Sequence, residues 1–157
     1  FLGRFGHEEE RESVRFDGAS ESLPGPGVLD ALADADVVVI APSNPIVSIG
    51  PLLAVPGIAE ALRSRRADTV AVSPIVAGAA LKGPADRLMR ELGHEASVVG
   101  VARIYRDIAA TLVVDTADAG LAAAVEAEGM ACVVTDTIMS SPEVAADLSR
   151  RILEVSR

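Results

Sequence analysis

Apolar residues along this chain cluster in two ways, as short unbroken runs and as stripes at helical spacing. Four runs stand out: Val37-Val38-Val39-Ile40, Thr69-Val70-Ala71-Val72, Leu112-Val113-Val114 and Cys132-Val133-Val134. They are continuous rather than alternating, and rich in valine. A strand that is apolar at every position has both faces buried, as in a parallel sheet. Between the runs lie segments of helical character: Ala59 to Arg66 after the first, Pro84 to Leu92 and Ser97 to Asp107 after the second, and Ala119 to Glu128 after the third. In Pro84 to Leu92 the apolar Leu88, Met89 and Leu92 share one face, with Arg87, Arg90 and Glu91 largely off it. A closing helix, Pro142 to Glu154, follows Ser140-Ser141. Strand and helix in alternation predict an α/β, Rossmann-like layered fold, a mostly parallel sheet flanked by helices.

The N-terminal stretch reads differently. Glu8-Glu9-Glu10-Arg11-Glu12 is a charge run expected to be solvated, and Ser13 to Phe16 is a candidate edge strand. Leu23-Pro24-Gly25-Pro26-Gly27 is a turn leading into a short helix, Val28 to Ala35. At 157 residues the chain has the size of one domain, and no repeat or linker interrupts it. A first residue other than Met suggests a piece of something longer.

Half of the residues are hydrophobic, yet no apolar run approaches the ~20 residues of a membrane span. Phe1-Leu2-Gly3-Arg4 lacks the apolar stretch of a secretory signal, so a soluble cytoplasmic protein with no membrane partner is expected. The net charge of -9, from 23 acidic and 14 basic residues, argues against nucleic acid as a partner. It leaves room for a local anion pocket. Cys132 is the single cysteine, which rules out an internal disulfide and predicts a buried strand thiol. His7 and His94 stand alone, without zinc-site spacing.

Two loops could carry chemistry. The first, Ala41 to Pro51, follows the first strand, at the carboxyl end where open α/β sheets place their ligands. Ser43, Asn44 and Ser48 offer side-chain hydrogen bonds, and Gly50-Pro51 fits a helix start, whose N–H groups suit a phosphate. The second, Ser73 to Pro84, repeats that layout and ends in Gly83-Pro84. Lys82 is the single lysine, a compact cation beside a helix start, and a plausible phosphate ligand. The plainer readings are a rigid connector and a solvent-facing lysine. In a parallel sheet both loops leave the same edge and could converge on one ligand. A weaker third set is Tyr105, Arg106, Asp107, Asp115 and Thr116, for which packing and helix capping are the plainer accounts. After the fourth run, an Asp and a Thr of Thr135 to Pro142 could face the site, with capping by Ser140 or Ser141 at its end. No Walker loop, dinucleotide fingerprint or nucleophile elbow is present.

Longer motifs carry a resemblance. Pro42-Ser43-Asn44-Pro45 with Ser48-Ile49-Gly50-Pro51, Val55-Pro56-Gly57-Ile58, Ser73-Pro74-Ile75-Val76 and Leu81-Lys82-Gly83-Pro84-Ala85-Asp86-Arg87 occur in order. Gly100-Val101-Ala102, Tyr105 with Asp107, and Asp136-Thr137-Ile138-Met139 follow. From about Phe16 to Leu153 the chain resembles the 2-phospho-L-lactate transferase family of coenzyme F-420 biosynthesis. Ala77 departs from it, standing where a glycine is more usual. The resemblance implies that residues 1–157 are the C-terminal portion of a single α/β transferase domain. Family members carry a further N-terminal half, with a glycine-rich loop and an acidic region.

By the same resemblance, the implied activity moves a 2-phospholactyl or enolpyruvyl-phosphate group from a guanosine-diphosphate-linked donor to the deazaflavin Fo, releasing GMP. Magnesium is the implied cofactor, with ligands unknown and expected mainly outside this chain, and a homodimer is the implied assembly. Lys82 becomes the candidate catalytic residue, with Ser43, Asn44, Ser48, Gly50, Ser73, Gly78 and Gly83 as substrate-binding candidates. A rival of the same fold is a non-catalytic regulatory protein that binds a nucleotide-sugar. A structural oligomerisation domain is a weaker third, with only apolar composition behind it.

Overall fold

The computed structural model describes residues 14–155. Its helices are α1 (Val28–Asp34), α2 (Gly50–Leu53), α3 (Ile58–Ser64), α4 (Ala85–Glu91), α5 (Val98–Tyr105), α6 (Ala122–Ala127) and α7 (Pro142–Val155). Its strands are β1 (Val38–Ile40), β2 (Thr69–Val72), β3 (Ile75–Val76), β4 (Ala79–Ala80), β5 (Thr111–Val114) and β6 (Ala131–Val134). The four valine-rich runs form one sheet in the order β1-β2-β5-β6, parallel throughout. The expected α/β, Rossmann-like architecture is therefore present. Two expectations fall differently. Residues 14–16 are irregular rather than an edge strand, and the second loop contains a small antiparallel hairpin, β3 with β4. The acidic run at 8–12, with His7 and Ser13, lies outside the described residues.

Spatial order equals chain order in this sheet. Right-handed crossovers that keep moving in one direction leave their helices on one face. The packing bears the mark of this: Ile40, Ala71, Leu112 and Val114 join the large core with Leu62 of α3, Met89 of α4, Val101 of α5 and Val125 of α6. The opposite face, Val70, Val72 and Val113, packs on Leu148 and Ile152 of α7. The central strands β2 and β5, sandwiched in this way, are buried at every position, which explains their runs without alternation, while the edge strands β1 and β6 are only partly buried. Burying one such Val or Leu contributes roughly 1.5–3 kcal/mol. Cys132 is half-buried in β6 rather than fully buried; that partial burial and the nearby Glu126 push its thiol pKa upward.

Local chemistry fixes the helix starts. Ser97 caps α5, its Oγ accepting from the Val99 and Gly100 N–H groups at 3.2 Å each. A Cβ on Gly100 would lie 1.8 Å from the Glu95 carbonyl oxygen, so the turn before α5 crosses the helix where no side chain fits. No single helix among the described residues is long and apolar enough to cross a membrane.

Candidate functional site

The first loop is helical almost from its start. Asn44 Oδ1 accepts from the Ile46 N–H at 2.9 Å and the Val47 N–H at 3.2 Å, and Pro45 supplies a preset φ at the first helical position. Ile49 then donates to the Asn44 carbonyl at 3.1 Å, five residues back, which makes Pro45–Ile49 a π-helical turn. It runs straight into α2. The α-helix does start at Gly50-Pro51, but the π-helical turn capped by Asn44 precedes it without a break, and the Gly50 N–H is already paired with the Pro45 carbonyl. Gly50 is already helical, with φ -51° and ψ -46°. It turns away from the first loop's polar side, and a Cβ there would come 2.8 Å from Phe16 Cζ. With Phe16, Leu53 and Leu92 it lines a separate groove of about 300 Å³.

The second loop leaves β2 through Ser73, which is buried. Its hydroxyl donates to the Ile75 carbonyl at 3.0 Å and accepts from the Ile75 N–H at 3.1 Å. The chain reverses between β3 and β4 over Ala77 and Gly78, at φ 51° and 77°. A two-residue hairpin with both central residues left-handed favours glycine at each. That is the physical reason a glycine is expected where Ala77 stands. The Ala77 N–H donates to Oδ2 of buried Asp118 at 3.0 Å, and this tether holds the strained turn. After β4 come exposed Leu81 and Lys82, then Gly83 and Pro84, which caps α4.

A third segment follows β6. Asp115, at the end of β5, is buried; its Oδ2 accepts from the Thr137 N–H at 2.9 Å and the Thr137 hydroxyl at 3.0 Å. Its Oδ1 accepts from the Ala117 N–H at 3.0 Å, the cap of the turn Thr116–Leu121. The segment ends at α7, where Ser141 Oγ accepts from the Val144 N–H at 3.4 Å.

These three segments enclose a cleft of about 700 Å³ at the carboxyl edge of the sheet. Ser43, Asn44 and Ser48 come from the first, Ser73, Lys82 and Gly83 from the second, and Thr137, Ile138 and Met139 from the third. The structure thus brings together six of the eight candidates, while Gly50 and Gly78 do not line the cleft. Gly78 belongs to the hairpin turn, its carbonyl accepting from Arg90 at 3.3 Å. The weaker set divides. Tyr105 is wholly buried in the core, and burial pushes its phenol pKa upward. Arg106 pairs with Glu128 at 3.1 Å, at the opposite edge of the sheet. Asp115 and Thr116 stand on the cleft side.

Hydroxyls and an ammonium in one cleft suit an anionic, phosphorylated ligand. Next to Lys82, the arginines of α4 are committed: Arg87 pairs with Glu91 at 2.6 Å and Arg90 with Asp86 at 3.0 Å. Lys82 lines the cleft without such a partner among the described residues. Asn44 plays a different part from its serine neighbours. Its Oδ1 is spent on the cap, and its Nδ2 is buried with no hydrogen-bond partner among the described residues, so it shapes the loop. The same cleft also carries exposed aliphatic side chains. Val47, Leu81, Ile138 and Met139 are 45%, 54%, 43% and 53% exposed. Only the family motif singles out Ile138 and Met139 in the sequence; two aliphatic residues in a loop after a strand were the available signal. Among the described residues no three His, Cys, Asp or Glu side chains converge to hold a metal ion. Both oxygens of Asp115 accept hydrogen bonds from neighbouring residues.

A doubly flanked parallel sheet, with a cleft lined by hydroxyls and one lysine at its carboxyl edge, defines an α/β layered domain with its candidate ligand site where open sheets of this kind place one. The chain belongs to the 2-phospho-L-lactate transferase CofD family, whose model matches residues 5–152. It is 45% identical over 140 residues to a phosphoenolpyruvate transferase of Kitasatospora aureofaciens, covering 88% of this chain and 44% of that protein. It is 39% identical over 153 residues to a 2-phospho-L-lactate transferase of Methanosarcina barkeri, covering 98% of this chain and 48% of that protein. The chain spans less than half the length of these curated relatives.

Proposed function

We propose that this chain forms the donor-phosphate side of a transferase in F-420 biosynthesis. The reaction moves a 2-phospholactyl or enolpyruvyl-phosphate group from a guanosine-diphosphate-linked donor to Fo. A ribityl hydroxyl oxygen of Fo forms a bond to the outer phosphorus, and the bond from that phosphorus to the bridging oxygen breaks. GMP leaves with the electron pair, and the hydroxyl proton passes to solvent or a base. Such chemistry needs alignment and charge neutralisation more than covalent help from protein. In this reading Ser43 and Ser48 hold donor oxygens and Lys82 offsets charge building on the diphosphate. The observation that carries it is the meeting of Ser43, Ser48 and Lys82 in one cleft, within a family of named transferases. Residues 1–157 would be the C-terminal portion of one transferase domain, working as a cytoplasmic homodimer. Magnesium belongs to the same proposal only as an ion held outside the described residues, and no step is drawn through it.

The rival, a nucleotide-sugar-binding regulator, shares the cleft's chemistry but not the activity in the relatives' names. Turnover of donor and Fo by the intact protein, with wild type and Lys82→Ala, separates the two. The expected result is a drop of about 10²-fold in kcat/KM for the variant, with thermal stability unchanged. Unaltered kinetics would remove Lys82 from the site. Uptake of a uridine-linked sugar, with no binding of guanosine diphosphate or Fo, would replace the transferase by the regulator.

A further inference from the structure

Asp115 divides its two oxygens between two tasks. Oδ1 caps the turn after β5, through the Ala117 N–H. Oδ2 serves Thr137 alone, taking its N–H at 2.9 Å and its hydroxyl at 3.0 Å. A second tie runs alongside, from the Thr116 hydroxyl to Asp136 Oδ1 at 2.9 Å. The next two residues are Ile138 and Met139, which line the cleft yet remain about half exposed. A loop without regular structure could fold such side chains inward; here the backbone just before them is pinned from below. Exposed aliphatic groups beside a polar cleft are a feature of binding sites, where they cover the apolar part of a ligand.

We propose that Asp115 is a positioning residue that, through Thr137, holds Ile138 and Met139 as the apolar lip of the cleft and so sets the affinity for the ring-bearing part of the ligand. This rests on the reading that a nucleotide or a deazaflavin enters the cleft. The shared chemistry is a planar heteroaromatic ring against aliphatic side chains, and the two sources separate in the test.

Asp115→Asn discriminates the two tasks. The amide keeps one acceptor oxygen for the Ala117 cap but replaces Oδ2 with a donor that cannot accept from the Thr137 N–H. In the intact protein, KM for either the guanosine-diphosphate-linked donor or Fo should rise about tenfold, the worth of one aliphatic contact surface, with kcat within about twofold. Whichever KM moves identifies the ring at the lip. The Ile138→Ala/Met139→Ala double variant should give the same rise without a change in melting temperature, because both side chains are exposed. Thr137→Ser, which keeps both donors, should behave as wild type. Hydrogen exchange should speed up at 137–139 in Asp115→Asn and stay unchanged at 112–114. A lowered melting temperature with both KM values unmoved would reduce Asp115 to a structural cap and overturn the proposal. So would a double variant with wild-type KM values. If the wild type neither turns over donor nor binds guanosine diphosphate or Fo, the transferase reading fails by itself. Unchanged exchange at 137–139 would overturn the Asp115 claim even then.

Discussion

Both ends of the sheet carry polar and charged side chains, and the cations among them are used in opposite ways. At the amino end the guanidinium groups are consumed by the fold. Arg65 donates to the Leu32, Ala33 and Ala35 carbonyls at the end of α1, and it pairs with Asp68 at 3.1 Å. Arg66 donates to the Arg106 carbonyl at 2.6 Å and the Gly129 carbonyl at 2.7 Å, sewing together the turns before β5 and β6. Glu128 bridges Arg103 and Arg106. Helix C-termini leave carbonyls unpaired, and a planar fork with five donors is well matched to collect them. At the carboxyl end Ser43, Ser48 and Lys82 line the cleft instead. Polarity alone does not mark a site; polarity that the fold has not already spent does.

The comparison breaks most sharply at Arg65. Arg65→Ala should cost about 2–3 kcal/mol, since charged hydrogen bonds to partly buried carbonyls are lost together. Chemical denaturation would show it as a lower midpoint at constant slope. Lys82→Ala should fall within about 0.5 kcal/mol of wild type in the same measurement. Equal losses at the two positions would mean that the carboxyl end is also structural, and the contrast would collapse.

That contrast was only partly legible in the sequence. The valine runs announced four strands because burial on both faces removes alternation, and the helix limits held to within a few residues. That Ser43, Ser48, Ser73 and Lys82 would share one cleft was legible because a parallel sheet sends successive loops to one edge. The α-helix start at Gly50-Pro51 was legible, but the π-helical turn that runs into it and pairs the Gly50 N–H was not, because such a turn has no composition of its own. The hairpin escaped for a similar reason: two-residue strands leave no periodicity, and Ala77-Gly78 lacks the Asn-Gly or Asp-Gly signal of such turns. Apart from the local Arg65–Asp68 pair, the commitments of Arg65 and Arg66 were invisible, since those partners are carbonyls 30 to 63 residues away.

Acid sharpens the comparison at the cleft edge. Burial pushes the Asp115 carboxyl upward, but hydrogen bonds from the Ala117 and Thr137 N–H groups and from the Thr137 and Thr116 hydroxyls outweigh it. Its pKa therefore lies below the usual carboxylate range. A depressed folded pKa means stability that is complete above the unfolded value, about 4, and lost as pH falls through the folded one. The stability gap between wild type and Asp115→Asn should be widest near neutrality and close towards pH 2. Glu95 and Glu143 are also held low and share the overall acid sensitivity, so the difference between the two proteins is the quantity to follow. A gap independent of pH would mean that the ionised form is not what binds Thr137.

The smallest effect tests whether the carboxyl end accepts strain that the amino end does not. Ala77 is the one non-glycine residue at positive φ among the described residues, and it sits in the hairpin that carries Lys82 into the cleft. An L-residue there costs about 1 kcal/mol or slightly more relative to glycine, partly offset by the greater freedom glycine has when unfolded. Ala77→Gly should therefore stabilise the chain by up to about 1 kcal/mol. The hydrogen bond from residue 77 to Asp118 uses the main-chain N–H and survives the change. If stability rises while turnover stays the same, the strain is incidental to the cleft. If stability rises and kcat/KM falls, the strained turn is what holds Lys82 in place, and the fold gives up stability at the carboxyl end in return for geometry.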